Sequence, residues 1–248
     1  MEKQKDQMIF GVRALQEALD AGKEIEKVLL KTGSGSSELF KELSRRIHQE
    51  NIPFQHVPME KLNSITRKNH QGVIAYISEI SYSELDFILP SVFEKGEVPL
   101  ILVLDQVSDV RNFGAIARTA ECAGVHAIVI PYKGGARITS EAVKTSAGAL
   151  HTIPVCRHPD LAVALQYLKD SGLTVFSASE KANQTVYDVD LKSPAVIIMG
   201  AEDKGISSKL ETFVDEQISI PLQGKIGSLN VSVAAGVVVF EAVRQRQA

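Results

Sequence analysis

The chain has 248 residues, 44% of them hydrophobic and 23% charged, a composition typical of globular proteins and a length that fits one large domain or two small ones. Its net charge of −3 excludes recognition of nucleic acid through a global positive field, and its two cysteines, Cys122 and Cys156, provide neither a disulfide framework nor a metal-ligand spacing. No apolar run approaches the roughly 20 residues that span a bilayer, and the opening MEKQKDQ lacks the apolar core of a signal peptide, so the expected location is the cytoplasm.

Residues 1–80 read as a compact α/β unit. Residues 11–19 form a helix with Val12, Leu15 and Leu19 on one face. Residues 25–31 are a strand, and residues 36–51 a second helix with Leu39, Leu43 and Ile47 at helical spacing. The intervening KTGSGSS begins a dinucleotide fingerprint but has Glu38 where the third glycine belongs. It is therefore read as a strand-to-helix loop, with Ser36 or Ser37 as helix cap. A short strand over residues 54–57, a short helix over 59–65 and a strand over 73–77 complete the unit. Between the last two lies TRKNHQG, in which Arg67, Lys68, Asn69 and His70 are candidate RNA contacts: two cations beside groups that make directional hydrogen bonds.

Residues 81–98 have no sustained period and contain Pro90, Gly96 and four acids, so they read as a linker with at most a short helix. Net charge is +1 over residues 1–80, −3 over 81–98 and −1 over 99–248, so an RNA partner would be held by local basic patches.

From Pro99 strands and helices alternate: strands at 100–104, 127–130, 152–156, 174–178, 196–199 and 217–221, with helices at 112–123, 140–147, 161–171, 207–212 and from 231 onward. This is the pattern of a parallel sheet covered on both faces. Three stretches carry chemistry. LDQVSDVRNFGAIAR places Asn112 as a good N-cap, with Arg118 six residues on and about 120° away around the helix. MGAEDKGIS follows a buried strand and nearly spells a P-loop, yet Ile206 stands where the phosphate-neutralising Lys belongs and two acids lie inside, which argues against nucleotide hydrolysis. In IPLQGKIGSLNVSVAAGVVVFEAVRQR, a glycine-containing loop feeds a helix start near Asn230 and Ser232. Such a loop leaves main-chain N–H donors free for an electron-rich ligand.

These three stretches, in this order, resemble the three motifs of the SpoU (TrmH-type) branch of the SPOUT RNA methyltransferases. The resemblance runs along the whole chain and is more specific in its second half. It implies a knotted SPOUT methyltransferase domain over 99–248, its last strand, loop and helix threaded through an earlier loop as a deep trefoil knot. It also implies an N-terminal RNA substrate-binding domain over 1–80, like the ribosomal L7Ae/L30e fold. The implied cofactor is S-adenosyl-L-methionine, contacted by Gly200, Ile220 and Leu229, with no metal. Arg118, Asn112, Glu202, Ser228 and Asn230 match the family's functional positions. The expected assembly is a homodimer through the C-terminal helix and the helix after Asn112.

The implied reaction transfers a methyl group to a ribose 2′-OH, which makes RNA and not DNA the substrate. A guanidinium is always protonated and has no acceptor, so Arg118 is expected to stabilise oxyanion charge, with Asn112 and Asn230 orienting it and the ribose. Glu202 would fix a loop or an arginine. His126, His151 and His158 read as structural. Within the family the chain is most similar to bacterial enzymes acting on a guanosine of 23S rRNA. Methylation of tRNA, or a non-catalytic RNA-binding role in ribosome assembly, are the alternatives.

Overall fold

In the computed structural model, residues 8–33, 37–201 and 203–247 are described. The chain divides into two compact units, the first formed by residues up to 81 with Ile138–Ser140, the second by residues 82–137 and those from 141 onward.

The first unit runs β1 (Met8–Phe10), α1 (Val12–Asp20), β2 (Ile25–Lys31), α2 (Glu38–Gln49), β3 (Phe54–Val57), α3 (Met59–Ile65) and β4 (Val73–Ile77). Its sheet has the order β1-β4-β2-β3, with only the β2–β3 pair parallel. Alternation along the strands loads both faces. Val28, Leu30, Val73 and Ala75 pack with Val12 and Leu15 of α1 and Phe40, Leu43 and Ile47 of α2. The intervening Leu29 and Ile74 pack with Leu62 of α3. Ser37 caps α2, its side chain accepting from the Phe40 N–H at 3.3 Å; Ser36 lies outside the described residues. The three-residue β1 had no sequence signal strong enough to reveal it. It is held by antiparallel pairing to β4, from Met8 opposite Tyr76 to Phe10 opposite Ile74.

The second unit contains α4 (Leu85–Glu94), β5 (Leu100–Leu104), α5 (Val110–Cys122), β6 (Ala127–Pro131), α6 (Ser140–Thr145), β7 (Val155–His158), α7 (Leu161–Asp170), β8 (Thr174–Ala178), β9 (Gln184–Thr185), β10 (Ala195–Met199), α8 (Ser208–Glu211), β11 (Glu216–Ser219) and α9 (Val231–Gln247). Among the described residues seven strands form one sheet, ordered β7-β6-β5-β10-β8-β11-β9, with every pairing parallel. All five residues of β5 and of β10 are buried, as expected for central strands covered on both faces. One face packs on α4, α7 and α8 through Leu89, Leu165 and Leu210. Helix α9 packs against α5 and β10.

The segment expected as a linker contains a ten-residue helix, α4, in which Pro90 sits internally. A proline inside a helix costs about 3 kcal/mol. Burying Leu85, Leu89 and Val92 offsets this at about 1.5–3 kcal/mol for each side chain, while Pro90 itself faces solvent. The helix is thus part of the second unit's core.

The end of α9 is fastened by side chains. The Arg246 guanidinium donates to the carbonyls of Leu191 (2.9 Å), Val98 (2.7 Å), Pro99 (3.0 Å) and Ser193 (2.9 Å). Buried Gln245 accepts from the Leu191 N–H and donates to the Val189 carbonyl and the Glu241 carboxylate. Replacing Arg246 with Ala strands four carbonyls, and an expected loss of about 2 kcal/mol follows from the usual strength of charged hydrogen bonds. Urea unfolding of R246A and R246K should show both destabilised, because one ammonium cannot reproduce the planar fork.

Candidate active site

Parallel strands bring their C-terminal ends to one edge, and in open α/β sheets that edge is where ligands bind. Here the ends of β8, β10 and β11 open into a cleft of about 650 Å³, part of it open to solvent. Its walls include Met199 at the end of β10 and Gly200 and Gly205 beyond it, Ile218 in β11 and Ile220 just after it, and Leu229 before and Val231 and Ala234 within the start of α9.

The segment after β10 closes on itself. The Ala201 N–H donates to the Gly205 carbonyl at 3.0 Å and the Gly205 N–H to the Ala201 carbonyl at 2.8 Å. A side chain at Gly200 would collide with the Gly205 carbonyl and the Ile206 amide. Gly205 turns the chain at φ +65°, a conformation that suits glycine. Glycines here thus serve close backbone approach, and Ile206 stands where a P-loop would have its lysine. The loop's other end is held by Asp105, a 6% exposed carboxylate at the end of β5 that accepts from the Ser207 N–H at 2.7 Å. Asp105 went unnoticed in the sequence because its partner lies 102 residues away.

The third motif behaves as its pattern predicts. Asn230 caps α9, its side chain accepting from the Ser232 N–H at 3.0 Å and from the Ser232 hydroxyl at 2.6 Å. Its amide also donates to Asn112 Oδ1 at 3.1 Å, which joins the first and third motifs across 118 residues. Among the described residues, the main-chain N–H groups of residues 222–229 have no internal hydrogen-bond partner.

Helix α5 begins earlier than predicted. Its cap is Asp109, which accepts from the N–H groups of Arg111 (2.7 Å) and Asn112 (3.1 Å). Those two backbone donors hold the Asp109 carboxyl below the usual carboxylate range. Asn112 is therefore inside the helix, which frees its side chain for Asn230. Gly114 allows α5 to touch α6: a Cβ there would lie 2.6 Å from the Ala142 carbonyl oxygen.

Arg118 is exposed on α5, does not line the cleft, and forms no hydrogen bond or ion pair among the described residues. Ser228, Gly200, Ile220 and Leu229 all line the cleft. Glu202 lies outside the described residues. The cleft also includes Ala178, Ser179 and Glu180, which sequence reasoning missed. Their only signal was their place after a strand of a parallel sheet.

In the first unit Arg67, Lys68 and Asn69 are exposed. His70 is not presented to a partner. It is 5% exposed; its Nδ1 accepts from the Gly72 N–H at 3.1 Å, which leaves Nε2 to donate to Asn63 Oδ1 at 2.9 Å. The ring builds the loop on which its neighbours stand. His126 accepts from the Leu100 N–H at 3.0 Å, and burial pushes its pKa below the ordinary histidine value. His158 accepts from the Asp160 N–H at 3.2 Å. Among the described residues, no three His, Cys, Asp or Glu side chains converge as a metal site.

A strand-end cleft built from three glycine-bearing or capped segments defines an α/β protein that takes a small ligand on main-chain groups. Residues 99–240 match the SpoU rRNA methylase family and residues 8–83 match the RNA 2′-O ribose methyltransferase substrate-binding family, so the chain belongs to the SpoU methyltransferases. It is 37% identical over 243 residues to the 23S rRNA (guanosine-2′-O-)-methyltransferase RlmB of Pseudomonas putida, covering 96% of each chain. It is 35% identical over 245 residues to YacO of Bacillus subtilis, which is assigned to the TrmH family of tRNA/rRNA methyltransferases; 98% of this chain and 97% of YacO are covered. Among solved structures it resembles the SpoU methyltransferase AviRb of Streptomyces viridochromogenes bound to S-adenosylmethionine. There the TM-score is 0.62 at 25% identity, over 98% of this chain and 91% of that one.

The enzyme's cofactor is accordingly S-adenosylmethionine. The residues present fit it: apolar Ile218, Ile220, Leu222 and Leu229 suit a flat base, and the unpartnered amides of Leu222, Ser228 and Leu229, which line the cleft, suit polar edges.

Two outcomes test this construction. Gly200→Ala should bind S-adenosylmethionine at least about tenfold more weakly by calorimetry, a loss of roughly 1.4 kcal/mol or more, since the added Cβ overlaps the backbone of Gly205 and Ile206 and must displace that wall of the cleft. Asp109→Ala should lose about 1 kcal/mol of stability in urea at pH 7, the usual worth of a cap. Because the folded carboxyl titrates below its unfolded value, that difference is present above about pH 4 and disappears as the pH falls through the folded value.

Proposed function

We propose that this enzyme methylates the ribose 2′-OH of a guanosine in 23S rRNA, in a homodimer, with the first unit selecting the RNA. The observation that carries the substrate is the near-complete match, both units included, to an enzyme of that specificity. The tRNA alternative draws on the YacO assignment, which names both RNA classes. In this reading residues 1–80 are the RNA-selecting domain and residues 99–248 the catalytic one, with Arg67, Lys68 and Asn69 touching phosphate or base edges. The proposed location is the cytoplasm.

When bound, S-adenosylmethionine supplies an electrophilic methyl group on a sulfonium. The protein's task is to hold the ribose oxygen in line with it and to stabilise the charge that develops there. Main-chain groups at Gly200, Ile220 and Leu229 hold the cofactor. Arg118 donates hydrogen bonds to the 2′-oxygen and the neighbouring phosphate; having no acceptor, it does not take the proton, which passes to the phosphate or to water. The Asn112–Asn230 pair and Ser228 orient the ribose, and Glu202 fixes its loop or an arginine.

Arg118 stands outside the cleft of its own chain, and this supports a site completed by a second copy. The proposed interface is α9 with α5. Val233 and Phe240 of α9 are 51% and 48% exposed, on a helix with no charge before Glu241, and packing against a second copy would remove that apolar area from water. We further propose that the segment from β11 into α9 is threaded as a trefoil knot. The strand order supports it: β11 lies beyond β8, yet the helix that follows returns to pack on α5 and β10.

Tritium transfer from labelled S-adenosylmethionine should label 23S rRNA and leave tRNA unlabelled; the opposite pattern overturns the substrate assignment. Arg118→Ala should reduce transfer by about 10²–10³, the range for losing one oxyanion donor, while cofactor affinity is unchanged. A binding factor without activity would show no transfer before or after the substitution.

A further inference from the structure

Among the described residues lining the cleft, one carries an ionisable side chain: Glu180. The others are apolar or neutral, including Ala178, Ser179, Met199 and Leu222. Glu180 is exposed and has no cation partner among the described residues. Its loop is nevertheless fixed. The Ser179 N–H donates to the Ile218 carbonyl at 2.9 Å, which ties the end of β8 to β11, and the Ala182 N–H returns to the Ser179 carbonyl at 3.2 Å. The Ser179 hydroxyl accepts from the Lys181 N–H at 3.3 Å, so Glu180 is bracketed by three hydrogen bonds at the rim of the site.

A carboxylate that is the one ionisable side chain among the described lining residues responds to ligand charge. S-adenosylmethionine has a sulfonium, an ammonium and a carboxylate, a net charge of about +1 near neutral pH. Transfer of the methyl group to a ribose oxygen leaves a neutral thioether, so the product has a net charge of about zero, and the hydroxyl proton leaves separately. The two ligands have the same adenosine and amino-acid groups and differ at one centre. Apolar contacts to the shared groups bind both nearly equally, whereas a negative charge favours the cation.

We propose that Glu180 is a specificity-determining residue whose carboxylate favours the cationic methyl donor over its neutral demethylated product, and so limits product inhibition. This rests on the cleft being the cofactor site. An exposed carboxylate acting on a nearby cation is worth little, about 1 kcal/mol at most, because water and salt screen it. The expected discrimination is therefore modest, about fivefold.

The test is calorimetric titration of the full-length protein with S-adenosylmethionine and, separately, with S-adenosylhomocysteine. Wild type is compared with Glu180→Gln and Glu180→Ala, with melting temperatures recorded for each. Glu180→Gln keeps the size and polarity of the side chain and removes the charge. The expected result is donor affinity about fivefold weaker, product affinity nearly unchanged, and a wild-type donor preference that declines as salt rises from 20 to about 500 mM. Equal weakening of both ligands would overturn the proposal, since it would mean a contact with a group they share, such as the ribose hydroxyls. An unchanged donor-to-product ratio in both variants would overturn it as well. If wild type binds neither ligand, the cofactor-site reading fails with it, whereas binding by wild type with an unaltered ratio in the variants sinks only the role of Glu180.

Discussion

The site depends on one constraint: three segments distant in sequence must meet at the edge of a sheet whose two faces are already covered. Side chains that reach from one segment to the backbone or side chain of another satisfy it. Asp105 at the end of β5 fixes the Ser207 amide, and Asn230 at the start of α9 reaches Asn112 on α5. The absence of a Cβ at Gly200 lets the turn after β10 fold tightly against that strand's end. Remove any of these and the strands still pair, because their stability comes from buried apolar residues on both faces. What is lost is the relative position of groups around the cleft. The scaffold and the chemistry therefore draw on different interactions, one nondirectional and extensive, the other directional and few.

The same separation recurs in the first unit. Its sheet is held by alternating side chains that load α1 and α2 on one face and α3 on the other. His70 is internal to that architecture, tied to Asn63 and to the Gly72 amide, while Arg67, Lys68 and Asn69 project from the loop it shapes. A buried imidazole thus organises exposed polar groups, much as Asp105 organises the turn before α8.

Much of the fold was legible in the sequence because period and punctuation agreed. The strands over Ile25–Lys31, Leu100–Leu104 and Thr174–Ala178 lie where apolar runs ended at turn residues. Short elements escaped. Strands β1 and β9, of three and two residues, exist through pairing with partners remote in sequence, and no window that small has a period. Helix α4 was obscured by Pro90, whose local penalty is outweighed by burial that only the folded chain reveals. At the cleft, Gly200, Ser228 and Leu229 were found through motif resemblance. Asp109 was passed over in favour of Asn112 as a cap, since both are good cap residues and local preference does not rank them. Glu180 had no motif at all; topology alone brought it to the rim.

Helix α9 supplies Val231 and Ala234 to the cleft at one end and is fastened at the other by Arg246. The helix tied at its far end to the carbonyls of residues 98–99, 191 and 193 is therefore also a wall of the binding site. Every strand of the sheet precedes α9, so the sheet could pair without this helix while the cleft lacked the wall that Val231 and Ala234 form.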